Sequence, residues 1–137
     1  MNIRITLFLL ISLLCGCATQ PVPNSEASAV PQDRILDATV FEPNDGFGKV
    51  TVKRDSGFVG SACATRLFID AKPTADIRTS EKATVFLPEG DYIFSASSGL
   101  CGGGITEVRG TVKFAKPISF RIGYGTNGEF KLTPTAF

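Results

Sequence analysis

The chain has no histidine and no tryptophan, one methionine and two tyrosines among its 137 residues. Without histidine, no Ser-His-Asp or Cys-His arrangement can be assembled, and the commonest general acid–base is missing. Charge of one sign is also lacking. Fourteen basic residues face thirteen acidic ones, a formal net charge of +1. Nucleic-acid modules usually carry a basic patch or stripe, and recruitment to anionic headgroups takes clustered Lys or Arg. The only such cluster here, Lys53-Arg54, is followed at once by Asp55. The paired acids, Asp70 with Asp76 and Glu89 with Asp91, sit beside turn residues, where Asp and Glu are ordinary solvated groups. Gly102-Gly103-Gly104 lacks the following Lys-Ser/Thr of a phosphate-binding loop and reads as a tight turn. The sequence thus predicts no catalytic residues, no metal, no cofactor and no nucleic-acid partner.

What is present begins with an export signal. Met1-Asn2-Ile3-Arg4 carries one positive charge, and Ile5 to Leu14 is an apolar stretch. At about ten residues it falls short of the ~20 needed to span a bilayer. Leu14-Cys15-Gly16-Cys17 follows. This segment resembles the lipobox of bacterial lipoproteins, which implies lipidation of Cys17 and removal of residues 1–16. Cys15 stands where Ala or Ser is more usual, and Ser12-Leu13-Leu14 fits the pattern less well if Cys15 were modified. An ordinary cleaved signal would need an A-x-A-like site, and Ala18-Thr19-Gln20 is a poor one. Residue 18 is alanine, not the aspartate that holds enterobacterial-type lipoproteins in the inner membrane. The resemblance therefore implies a lipid anchor in the cell outer membrane, with the domain facing the periplasm.

Loss of residues 1–16 leaves one domain's worth of chain with 13 basic and 13 acidic residues. Residues 17–35 are the lipidated N-terminus and a stretch rich in Ala, Ser and Pro without apolar periodicity. Its composition predicts a flexible tether, with an r.m.s. reach of ~25 Å.

From Leu36 onward the pattern becomes short apolar alternations broken by Gly, Pro, Asp and Asn. Val50 and Val52 alternate with Lys49, Thr51 and Lys53. Val85 and Leu87 are expected to pair with Phe94 and Tyr92 across Pro88-Glu89-Gly90-Asp91. Val108, Gly110, Val112 and Phe114 face inward on one arm of a second hairpin. Ile118, Phe120, Ile122 and Tyr124 face inward on the other, leaving Glu107, Arg109, Lys113, Ser119 and Arg121 on one wet face. Phe130 and Leu132 make a last strand. Between 64 and 78 the register stays open, because Leu67, Phe68 and Ile69 are all apolar and demand either two buried faces or a bulge. The expected fold is all-β: a small antiparallel β-sandwich of seven to nine strands over 36–137.

The run Arg66-Leu67-Phe68-Ile69-Asp70-Ala71-Lys72, followed by Leu87-Pro88-Glu89-Gly90-Asp91-Tyr92-Ile93-Phe94, resembles the core of PEGA-like domains, small extracytoplasmic β-sandwiches. The segment Arg54 to Cys63 is similar to the "R-D-S-G-x-x-G-S-x-C" stretch of small bacterial lipoproteins. These resemblances imply a fold, not an activity.

With Cys15 removed and Cys17 lipidated, Cys63 and Cys101 remain, an even pair in an oxidising compartment. A disulfide between them closes a loop of about 38 residues, worth ~3.5–4 kcal/mol in the chain-entropy model. It would hold two small-residue loops together and present Phe58, Val59 and Leu100 to a protein partner in the envelope. The function expected is a non-enzymatic, lipid-anchored interaction or structural module. The alternative, implied by the PEGA-like resemblance, is glycan or peptidoglycan binding, against which stand the missing tryptophan and the inward-facing Tyr92 and Tyr124.

Overall fold

The computed structural model describes residues 18–137. The lipobox and Cys17 lie outside the described residues. Nine strands follow in chain order: β1 (Ser28–Ala29), β2 (Gly48–Arg54), β3 (Thr65–Ile69), β4 (Lys72–Ile77), β5 (Glu81–Leu87), β6 (Gly90–Ser97), β7 (Ile105–Val112), β8 (Ile118–Tyr124) and β9 (Phe130–Pro134). The helical content among these residues is three 3-10 turns, Gln32–Arg34, Ala38–Val40 and Gly99–Cys101. One sheet has the order β1-β5-β2-β8-β9, the other β4-β3-β6-β7. The fold is an all-β sandwich, as the alternation predicts.

The inward-facing residues are the ones the period of two selects. Val50, Val52, Val85, Ile122 and Phe120 from the first sheet meet Leu67, Ile77, Phe94, Ala96 and Val112 from the second, all nearly inaccessible. Phe94 and Phe120 touch across the core, ring centroids 4.9 Å apart. Burial of such side chains at ~25 cal/mol per Å² of apolar area is what holds the two layers together.

The partners of two strands differ from the expectation. β5 pairs with β1 and β2, whereas β6 pairs with β3 and β7. The Pro88-Glu89 connection therefore carries the chain from one sheet to the other instead of closing a hairpin. The same holds for β7 and β8, which lie in opposite sheets. Val85 and Phe94 both point into the core, from opposite sheets. Phe114, expected inward, is 59% exposed in the crossing loop. The supposed common wet face is split accordingly: Glu107 and Arg109 lie on the outside of one sheet, Ser119 and Arg121 on the outside of the other. Two pairings are parallel, β1 with β5 and β2 with β8, so the sandwich is mixed, not wholly antiparallel.

The 64–78 hairpin settles on a bulge. The register of β3 against β4 shifts between Leu67 and Phe68, with Leu67 opposite Ala75 and Phe68 opposite Pro73. Thr74 is the extra residue. The bulge lies in β4, so β3 itself alternates without a break, with Leu67 and Ile69 buried and Phe68 on the outer face. Asp70 and Ala71 make the turn with positive φ.

Residues 18–35 are not a free tether. Ser28 and Ala29 pair in parallel with Glu81 and Lys82, and Val22, Ala27 and Val30 are buried. The segment crosses the outer face of the first sheet, where Lys82 donates to the Asn24 carbonyl and Asn24 donates to Ser119 Oγ at 3.1 Å. Thr51 and Lys53, on this outer face, are also buried, and Lys53 donates to the Phe137 carbonyl. Periodicity is missing here because contact is made by single apolar residues and by backbone bonds to a strand edge. The expectation fails for that reason.

Candidate functional site

One end of the sandwich gathers the residues singled out in the sequence. β2 leaves the sheet at Arg54 into loop 55–64, and β6 leaves at Ser97 into loop 98–104. A disulfide joins Cys63 to Cys101, with Cα atoms 6.0 Å apart. Beneath the first loop lies a group that sequence reasoning missed. Arg54 continues the inward series Val50, Val52, and its side chain is buried at the sandwich end. Its guanidinium donates to the carbonyls of Gly60, Cys63 and Ile77. Burial pulls its pKa below the usual value, opposed by the more distant Tyr124 and Glu81. Arg54 thus ties loop 55–64 to β4. The signal was available, since a cation in phase with two core valines must either bend away or be satisfied internally.

Gly60 permits this loop to close. Its φ is +69°, and a Cβ there would sit 2.5 Å from the Tyr124 ring. Tyr124 is buried below it and packs on Phe130, centroids 5.2 Å apart.

The chain enters the domain at this same end. The Thr19 amide donates to the Tyr124 carbonyl at 3.0 Å, and the Tyr124 amide donates to Thr19 Oγ1 at 2.8 Å. Thr19 Oγ1 donates in turn to Asp55 Oδ2 at 2.9 Å. Asp55, whose side chain is inaccessible, also accepts a two-point contact from Arg121. Gln20 and Ser56 exchange backbone bonds of 2.8 and 2.9 Å. Gly123 leaves room for this clasp, since a Cβ there would collide with Asp55 Oδ2 and Thr19 Oγ1.

Above these anchors the loops expose apolar side chains. Phe58 is 93% exposed, Leu100 fully exposed and Ile105, at the start of β7, 65% exposed. Val59 departs from the expectation: it is half-buried and packs against the core cluster. The exposed apolar set is therefore Phe58, Leu100 and Ile105. Ile105 was not singled out in the sequence because it reads as an ordinary strand residue.

The acids considered in the sequence are spread among local bonds. Asp70 Oδ1 accepts from the Ile93 amide at 2.8 Å, and Asp76 forms a two-point pair with Arg66 at 2.8 and 2.9 Å. Glu89 Oε1 accepts from the Phe114 amide and Asp91 Oδ1 from Thr111. A shallow depression of about 440 Å³ lies on the outer face of the second sheet, lined by Arg66, Phe68, Asp76 and Ser97 among others. Tyr124 is buried, and Tyr92 is half-buried with its hydroxyl donating to the Pro88 carbonyl at 3.0 Å.

No protein-family model matches this chain, and no curated protein matches it significantly.

Proposed function

We propose that this is a lipid-anchored, non-enzymatic protein of the bacterial cell envelope, held in the outer membrane through Cys17 and acting as a structural or protein-interaction module in the periplasm. The observation that carries the reading is Leu14-Cys15-Gly16-Cys17 at the end of a short apolar run. A disulfide-bridged β-sandwich follows it. A disulfide suits an oxidising compartment. The test is mass spectrometry of the membrane-extracted protein beside its Cys17→Ser variant. The expected result is a diacylglyceryl-modified N-terminal cysteine in the parent chain, and an uncut or released product in the variant. Membrane retention of the Cys17→Ser variant through acylation elsewhere in the chain would remove the lipobox assignment.

A second reading rests on the depression around Phe68. A half-buried ring beside the Arg66–Asp76 pair offers one apolar surface and polar hydrogen-bonding groups together, which suits a glycan. Saturable co-sedimentation with purified peptidoglycan, lost in Phe68→Ala, would favour it.

A further inference from the structure

The clasp at Thr19 fixes where a lipid on Cys17 would sit. Thr19 is bonded to Tyr124, Asp55 and, through Gln20, to Ser56, and the two residues of chain between it and a lipidated Cys17 would span at most about 7 Å. The neighbouring backbone is the one that leads to Phe58: a Cβ on Gly57 would be 3.3 Å from Thr19 Cα. Acyl chains on Cys17 would on this reading leave the protein at the end of the sandwich that carries loop 55–64.

That tip has the composition of a surface meant to lose water. There is no Asp, Glu, Lys or Arg from Ser56 through Ala64, nor from Ser97 through Thr106. The two uncharged loops are joined by the disulfide. They carry Phe58 at 93%, Leu100 at 104% and Ile105 at 65% of full exposure. A protein partner would meet the same apolar residues, but a leaflet already lies against them if the anchor is where the sequence puts it. Charged side chains at that depth would be costly, and the charged groups at this end, Arg78 and the Glu129–Lys131 pair, belong to the neighbouring turns and not to these two loops.

We infer that the sandwich end bearing Phe58, Leu100 and Ile105 docks into the phospholipid leaflet that holds the Cys17 acyl chains, so that the domain stands on the membrane in one fixed orientation and offers its opposite end to the periplasm. The inference rests on the lipobox reading. Its physical content is additional: a lipid anchor on a ~25 Å tether would leave the domain free to tumble, whereas an anchor clasped at Thr19 presses one set of loops onto the bilayer. Apolar side chains reaching ~5–10 Å into the headgroup–acyl boundary then bind in the manner of an interfacial segment. The opposite end, with Phe114 and the 42–47 and 113–117 loops, faces away.

Absence of tryptophan from the chain makes the test direct. Phe58→Trp, Leu100→Trp and, at the far end, Phe114→Trp each install a single reporter at an exposed position. The mature lipidated proteins are purified, their Cys17 modification checked by mass, and their fold checked by circular dichroism. Each is then reconstituted in phosphatidylethanolamine–phosphatidylglycerol vesicles with and without brominated acyl chains. Reporters at 58 and 100 should lose at least about half of their emission to the bromines and shift to the blue, as residues held at the headgroup–acyl boundary would. The reporter at 114 should keep its emission. Equal quenching at all three positions, or none at 58 and 100 in a protein whose Cys17 carries lipid, would overturn the docking face while leaving the anchor intact. Site-specific crosslinking from position 58 to a protein in cells, with no quenching in vesicles, would overturn it in favour of a protein partner. An unmodified Cys17 would overturn the anchor, and the docking with it.

Discussion

Replacing Arg54 tests how the loop end of the domain is held. Its guanidinium bridges Gly60 and Cys63 in one loop to Ile77 at the end of β4. In Arg54→Met the aliphatic volume stays and the three donors go. The Gly60 carbonyl keeps the Cys63 amide at 3.2 Å, so its loss is partial, while the Cys63 carbonyl loses its side-chain donor. An orphaned buried carbonyl costs ~1–3 kcal/mol. Removing a buried cation that has no carboxylate partner gives some of this back. The balance should be a destabilisation of about 2–4 kcal/mol. With a urea m-value of about 2 kcal/mol/M, the midpoint should fall by roughly 1–2 M. Arg54→Lys should be no milder than Arg54→Met, because one ammonium keeps the charge buried but cannot span three carbonyls on two segments. Amide exchange at Ser61 and Cys63, whose N–H groups bond Phe58 and Gly60, should accelerate in both variants. A loss under ~1 kcal/mol, or full stability in Arg54→Lys, would refute the bridging role.

The disulfide should act separately, through the unfolded chain. Cys63→Ala with Cys101→Ala opens a loop of 38 residues and should cost ~4 kcal/mol, a melting shift of roughly 15 °C for a domain of this size; thiol labelling without reductant should leave both cysteines of the parent protein unmodified. Acid should loosen residues 32–41 first. The Asp37 carboxyl is held below its ordinary value by Lys72 and Thr39, and Glu81, which burial alone would raise, is brought below its own by Arg34 and the Arg78 amide. Both lose protons more readily folded than unfolded, so their contribution is complete above about pH 4–4.5 and disappears as pH falls through the lower folded values. Exchange in 32–41 that is flat from pH 6 down to pH 3, after correction for intrinsic rates, would contradict this.

The faces of the strands were legible in the sequence and their partners were not, for one physical reason. A period of two says which side chains point the same way. It does not say whether two successive strands lie side by side or face each other across a core. Inward Val85 and Phe94, or Val112 and Phe120, satisfy both arrangements, and the structure puts the two strands of each pair in opposite sheets. A turn made of Pro88-Glu89-Gly90 looks the same in either. Of the candidate site, the disulfide partners and the exposure of Phe58 and Leu100 could be read from Cys arithmetic and small-residue loops. Arg54 was signalled by its phase with Val50 and Val52, though its acceptors were not, and Asp55 could not be read, because its role depends on what Arg121 and Thr19 bring to it from far along the chain.

The clearest failure of composition as a guide is the segment after Cys17, and it supplies the most informative remaining prediction. Ala-, Ser- and Pro-rich sequence is expected to stay mobile because it has little to bury. Here it needs little, since Thr19 places one hydroxyl between two backbone groups of Tyr124 and a carboxylate of Asp55. Gly123→Ala fills the space that the clasp occupies, and Thr19→Val removes the hydroxyl at nearly constant shape. Thr19→Val should cost about 1–3 kcal/mol, since it leaves the Tyr124 amide and one Asp55 oxygen short of a partner. Gly123→Ala should cost at least as much and free residues 18–21 to exchange and to proteolysis, with the β2–β8 core unchanged. If residues 18–21 stay protected in a folded Gly123→Ala protein, the clasp is not what fixes the chain at that end. If they are released, the Thr19 hydroxyl and the space over Gly123 are what hold residues 18–21 on the domain, together with the Gln20–Ser56 backbone bonds.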